Sequence, residues 1–220
     1  MPQTLIPPIS YLITSGKTDE TTSPASAEFT HLVALVEAAV VAGITLVQLR
    51  EKFLRPRVLY ELTARAAANT RGTTTRLLVN DRADIARAAG ADGVQLTTRS
   101  LPAHIVRRAF GANFLIGVST HTLAEARAAR TDGADFAVFG PLFGTPSKRA
   151  YGPPVGLDGL RIVAHDLAPF PVIAIGGITR ANMADALAAG AHGIAAIRLF
   201  DDPQALAVTV RALAEGLSGG

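Results

Sequence analysis

The sequence predicts a single (β/α)8 barrel, an α/β fold of eight parallel strands each followed by a helix. Three observations lead there. Short β-rich apolar runs alternate with Ala-rich amphipathic stretches about eight times. A related phrase recurs before alternate strands. Residues suited to binding anions gather where strands end, not where they begin, as in barrels of this kind. With 220 residues, 49% hydrophobic and 18% charged, the chain can bury one substantial core, so one domain spans 1–220 with flexible ends expected at 1–8 and 216–220.

The strands are expected at 9–14, 44–49, 77–80, 93–96, 114–118, 136–139, 172–175 and 193–197. The recurring phrase reads Ala42-Gly43-Ile44-Thr45, then Ala89-Gly90-Ala91-Asp92, Asp132-Gly133-Ala134-Asp135 and Ala189-Gly190-Ala191-His192. Each glycine is expected to end a helix in the left-handed conformation that a Cβ disfavours. Asp92, Asp135 and His192 are then turn or cap residues at the face opposite the chemistry.

At the other ends, strand two runs into Gln48, Arg50 and Lys52, which alternation places on one face with Leu49 and Glu51 on the other. Strand three ends in Asn80-Asp81 and strand five in Ser119-Thr120-His121. Strand six enters a polar loop containing Thr145, Ser147 and Lys148, strand seven ends in Gly176-Gly177-Ile178-Thr179, and strand eight in Ile197-Arg198.

Composition excludes several classes. There is no cysteine, so no disulfide, thiolate metal site or cysteine nucleophile exists, and a metal must be held by oxygen or histidine. The N-terminal stretch lacks the basic start and apolar segment of a secretory signal, and no run reaches a membrane span, which points to the cytoplasm and to no membrane partner. The net charge of +3 comes from basic residues scattered over helical stretches, a solvated pattern that implies no nucleic-acid partner. A homo-oligomer is compatible with the chain.

The rim chemistry follows from residue types. Arg50 offers a bidentate fork and Lys52 a compact charge, together suited to a diphosphate; alone they also fit a surface pair bridged by Glu51. Asp81 fits either a Mg²⁺ ligand or the N-cap of a helix starting near Arg82. Asn80 faces the other way unless the backbone bends. Gly176-Gly177, with Thr179 opening a helix and Arg198 nearby, forms a phosphate-binding arrangement. Thr145, Ser147 and Lys148 add donors on a loop suited to act as a lid. His121 is expected to orient its loop, while His31, His104 and His165 are surface or packing residues.

Five motifs in order carry a resemblance: Val47 to Lys52, Asn80-Asp81-Arg82, Gly117 to Thr122, Phe139 to Phe143 with Thr145, Ser147 and Lys148, and Ala174 to Ile178. Over roughly Ile9 to Phe200 the chain resembles the thiamine phosphate synthase and thiazole tautomerase (TenI-like) superfamily of barrels. The resemblance implies a transferase that joins hydroxymethylpyrimidine diphosphate to a thiazole phosphate with Mg²⁺ help, its substrates being these small phosphorylated molecules. It assigns Gln48, Arg50, Lys52 and Asn80 to the pyrimidine diphosphate, Asp81 to magnesium, and Ser119 and Lys148 to the departing diphosphate. It places the thiazole phosphate near Thr145, Ser147, Gly177 and the strand-eight loop.

Two departures qualify it. After strand four the synthases show an acidic pair whose last member binds Mg²⁺, whereas this chain reads Gln95-Leu96-Thr97-Thr98-Arg99-Ser100, so Ser100 stands at the second ligand position and magnesium binding is expected to be weak or substrate-assisted. Gln95 and Ser100 resemble the tautomerase branch, but the histidine of that branch after strand six is replaced by Pro141. Arg198 stands where synthases generally carry a small serine. The alternatives to a synthase are a thiazole tautomerase-like isomerase and a non-catalytic phosphate-binding protein.

Overall fold

A computed structural model describes residues 5–144 and 154–218. Eight parallel strands close into a ring: β1 (Ile9–Ile13), β2 (Leu46–Leu49), β3 (Arg76–Asn80), β4 (Gly93–Leu96), β5 (Leu115–Thr120), β6 (Phe136–Phe139), β7 (Val172–Ile175) and β8 (Gly193–Ala196). Closure runs through Ile9 opposite Gly193 and Tyr11 opposite Ala195. The helices α1 (Ala27–Val41), α2 (Pro56–Thr70), α3 (Ala83–Ala89), α4 (Ala103–Phe110), α5 (Leu123–Thr131), α6 (Gly156–Leu167), α7 (Met183–Ala188) and α8 (Leu206–Ser218) follow the strands in turn. The single (β/α)8 barrel expected from the sequence is the observed fold.

Strand alternation sorts the core into two layers. Inward positions form one cluster, with Ile9, Tyr11, Ile13, Leu46, Leu78, Leu115, Phe136, Val138 and Ile173 among its members. Outward positions such as Val47, Leu49, Leu77, Val79, Val94 and Ile116 pack beneath the helices.

Leu5 packs against the interior cluster. α8 continues to Ser218, and a Cβ on Gly216 would stand 3.5 Å from Leu187, so the helix end is seated on α7.

The recurring phrase has a sharper role than a turn. Gly43, Gly90, Gly133 and Gly190 all have positive φ, as expected. The residue two places on then reaches sideways to the start of the preceding strand. Thr45 Oγ1 accepts from Ser10 N (3.3 Å), Asp92 Oδ2 from Leu77 N (2.8 Å), Asp135 Oδ2 from Ile116 N (2.7 Å) and His192 Nδ1 from Val172 N (3.3 Å). Four alternating strand pairs are thus clasped at the bottom of the barrel, which satisfies N–H groups the ladder leaves unpaired.

The His192 clasp carries a pH dependence. Burial holds His192 below its ordinary value of 6.5, and its Nδ1 must be unprotonated to accept from Val172. The native state therefore binds this proton less readily than the unfolded chain. The contribution to stability is whole above the unfolded pKa and is lost as pH falls below it toward the native pKa. His192→Asn, which keeps an acceptor but does not titrate, is expected to flatten the fall in thermal stability between about pH 7 and pH 5. Calorimetric melting across that range checks it.

Candidate active site

The upper half of the barrel interior is polar. Gln48 Nε2 donates to the Tyr11 hydroxyl (2.8 Å), which donates to Gln95 Oε1 (3.0 Å), and Gln95 Nε2 donates to Ser119 Oγ (3.1 Å). Tyr11 is fully buried, and burial raises its pKa above the ordinary value, so the hydroxyl stays protonated and the direction of donation is set. At the end of the chain Ser119 accepts, which leaves its own proton to be given to something else. The relay has room because position 117 is glycine: a Cβ there would fall 2.4 Å from Gln95 Oε1 and 2.3 Å from the Phe136 ring.

Gln48 is therefore an inward residue, as expected, but Lys52 does not share its face. β2 ends at Leu49, and Lys52 lies exposed in the turn that follows. Just past the strand end, Glu51 is drawn away from solvent. At 3% exposure its carboxylate accepts from Thr14 Oγ1 (2.5 Å), Gly16 N (3.1 Å), Thr18 Oγ1 (2.6 Å) and Thr18 N (3.4 Å). Glu51 is no bridge between two surface cations; it ties the loop after β1 to the end of β2. Thr14 Oγ1 also accepts from Arg50 N (2.8 Å), which places Arg50 over that loop, where a Cβ on Gly16 would stand 3.4 Å from Nη1.

Lys52, Asn80 and Asp81 instead meet in a cavity of about 350 Å³, whose charged lining is completed by Glu51, Arg82 and Arg99. The bend that brings Asn80 and Asp81 to one cavity is a left-handed residue: Asp81 has φ 60°, held by its N–H on Gln95 O (3.0 Å). The N-cap alternative for Asp81 does not occur, since Arg82 occupies the cap position of α3 and no side chain caps the helix. Arg82 is committed elsewhere, donating its fork to Asp84 (2.9 and 2.6 Å), which holds the Asp84 carboxyl below the usual carboxylate range.

Gly176 and Gly177 owe their identity to a neighbour. Both have positive φ, and a Cβ would fall 2.7 Å from Pro141 at one and 2.6 Å from Phe143 at the other. They seat the loop after β6, whose Leu142 N and Phe143 N donate to Ile175 O (2.8 Å) and Gly176 O (2.9 Å). The helix expected to open at Thr179 begins later, at Met183. The Asn182 amide draws the chain into a loop first, accepting from Thr179 N (2.8 Å) and donating to Gly177 O (3.1 Å), so the Thr179 N–H already has its acceptor. Arg198 is exposed and starts a short 3-10 turn after β8 instead of ending that strand. Thr145, Ser147 and Lys148 lie outside the described residues. His121 has the orienting role expected: its ring Nδ1 is bonded to Gly140 O and its backbone N–H donates to Glu125 Oε2 (2.6 Å).

A magnesium ion wants oxygen ligands in octahedral geometry and commonly one or two protein carboxylates. Glu51 is spent on four donors and Asp84 on Arg82. Ser100, at the second ligand position implied by the resemblance, uses its hydroxyl on Thr97 N (2.7 Å) and Thr97 Oγ1 (3.0 Å). Among the described residues no group of three or more His, Asp or Glu is gathered for a metal. Asp81 remains, a single exposed carboxylate, and this donor set fits an ion that arrives on a substrate's phosphates better than a resident one.

Tyr11 and Glu51 were not identified from the sequence as parts of the site. A tyrosine inside the buried run of β1 needs a partner for its hydroxyl, and that was the available signal. Glu51 gave none, since its partners lie 33 to 37 residues away.

Fold and rim together define a barrel enzyme with a polar interior and a charged cavity at the carboxyl ends of its strands. The family described as thiamine monophosphate synthase matches residues 11–200. The chain belongs to that family. It is 50% identical over 173 residues to a putative thiamine-phosphate synthase of Geobacter sulfurreducens, covering 78% of this chain and 81% of the relative. It is 45% identical over 183 residues to a thiamine-phosphate synthase of Chloroflexus aurantiacus, covering 82% and 84%. A solved thiamine phosphate pyrophosphorylase from Pyrococcus furiosus superposes with a TM-score of 0.79 at 31% identity, covering 95% of this chain and 96% of that one. No helix among the described residues is long and apolar enough to cross a membrane.

Two substitutions probe this architecture. Tyr11→Phe leaves a Gln48 donor and the Gln95 acceptor unpaired in the interior and is expected to cost about 1–3 kcal/mol in denaturant unfolding. Glu51→Gln replaces an acceptor of four hydrogen bonds by a group that must also donate, with an expected loss of about 3 kcal/mol and loosening of the 14–18 loop, read by amide hydrogen exchange.

Proposed function

We propose that the chain is a thiamine phosphate synthase, which joins hydroxymethylpyrimidine diphosphate to a thiazole phosphate and releases diphosphate. The observation that carries this reading is the cavity where Lys52, Asn80 and the left-handed Asp81 meet, in a chain 45% identical to a thiamine-phosphate synthase. In this reading the carbon–oxygen bond to the diphosphate breaks with its electron pair leaving on oxygen. The thiazole nitrogen then gives its lone pair to the pyrimidine methylene. No protein nucleophile is needed.

The chain's task is to hold two phosphorylated molecules in line and to neutralise charge where it develops. Arg50, Lys52, Asn80 and Lys148 would bind the diphosphate, with Gln48 on the pyrimidine side. Ser119 would donate to the departing oxygens, since Gln95 already fills its acceptor role. Thr145, Ser147, Gly176, Gly177 and Arg198 would hold the thiazole phosphate. Magnesium on Asp81 and the substrate's own oxygens would supply further positive charge to the leaving group. The cytoplasm is the compartment we assign to this reaction.

The features that suggested a tautomerase have other uses here, for Gln95 serves the relay and Ser100 closes its turn. Of the described histidines on the rim, His121 is held on Gly140 O.

Incubating the purified chain with both phosphorylated substrates, with and without Mg²⁺, tests the reading. Thiamine phosphate is expected only when both are present. Isomerisation of a thiazole carboxylate phosphate alone would replace the synthase by a tautomerase, and binding without turnover would leave a non-catalytic protein. Ser119→Ala is expected to lower kcat on the order of 10²-fold, and Asp81→Asn to raise the Mg²⁺ concentration giving half-maximal rate.

A further inference from the structure

The segment after β4 forms a closed turn. Thr97 N donates to Ser100 Oγ (2.7 Å), Ser100 N to Thr97 O (3.1 Å) and Arg99 N to Thr97 Oγ1 (3.3 Å), while the two hydroxyls lie 3.0 Å apart. The turn satisfies its own polar groups and uses the Ser100 hydroxyl in doing so. What it presents outward is Arg99, which is exposed and lines the same cavity as Lys52, Asn80 and Asp81. Arg82, the other guanidinium of that cavity, is already paired in both prongs by Asp84. Arg99 forms no ion pair with a carboxylate among the described residues.

A guanidinium with its fork available beside a lysine and an asparagine matches two phosphate oxygens in geometry as well as charge. A cavity whose described residues offer a single carboxylate uncommitted to hydrogen bonds is a poor resident site for Mg²⁺. We propose that Arg99 is a diphosphate-binding residue that supplies part of the positive charge otherwise left to magnesium, so that this chain holds diphosphate without metal. The inference rests on the synthase reading for the identity of the anion.

Arg99→Ala suits the test because the turn is closed by backbone atoms and by Thr97 and Ser100, not by the Arg99 side chain. Inorganic diphosphate is titrated into the full chain by calorimetry in EDTA and again in excess Mg²⁺. The wild-type chain is expected to bind in EDTA, Arg99→Ala to bind about 10- to 100-fold more weakly, Arg99→Lys to fall between, and the gap to narrow with Mg²⁺. Arg71→Ala, at the end of α2 on the opposite face, controls for net charge and is expected to match wild type. Equal dissociation constants for wild type and Arg99→Ala in EDTA, or no wild-type binding in EDTA, would overturn the proposal. The two readings fail separately. Thiamine phosphate made by a wild type whose diphosphate affinity is indifferent to Arg99 removes only the Arg99 assignment. An Arg99-dependent diphosphate site in a chain that makes no thiamine phosphate removes the synthase and keeps the anion site.

Discussion

Closing eight parallel strands into a ring sets the volume inside it, and every inward side chain must fit that volume. The lower part is filled by Ile9, Leu46, Leu78, Leu115, Phe136 and Ile173. Where the ring comes closest, only glycine fits: a Cβ at Gly93 would fall 1.9 Å from Leu115 O and one at Gly193 2.1 Å from Ile9 O. The upper part holds amides and hydroxyls instead. Those groups survive burial because Gln48, Tyr11, Gln95 and Ser119 satisfy one another in sequence, and no buried side-chain polar atom among the described residues lacks a partner.

The two ends of the barrel answer different demands. At the bottom, Thr45, Asp92, Asp135 and His192 serve the fold, each accepting from the first N–H groups of the strand before it. At the top, equivalent polar residues serve the rim, and they are held there by contacts that run across the chain. Glu51 shows how this works. Its buried carboxylate makes one unit of the loop after β1 and the end of β2, so that Arg50 and Lys52 leave the strand in directions that alternation alone does not give.

Charge at the rim is managed by commitment as much as by composition. Of the acidic groups near the cavity, Glu51 is consumed by the β1 loop and Asp84 by Arg82, while Asp81 stays exposed at a left-handed turn. Of the guanidiniums, Arg82 is consumed and Arg99 is not so paired among the described residues. What the cavity offers a ligand therefore depends on which charges are already answered within the protein.

The eight-strand barrel, the left-handed glycines of the recurring phrase and the placing of Asn80 and Asp81 where β3 ends could all be read from the sequence. They follow from local rules: a two-residue strand period, the avoidance of positive φ by residues with a Cβ, and polar residues placed just past apolar runs. The family resemblance added roles to those same residues. The folded structure alone decided which of them face one another. Whether Asp81 caps a helix or turns into the cavity, whether Glu51 bridges neighbours or pins a distant loop, and which group donates to Ser119 depend on partners 24 to 37 residues away or on a single backbone angle. Sequence spacing carries no record of such contacts, because they exist only once the strands have paired and brought residues remote in the chain within hydrogen-bond reach.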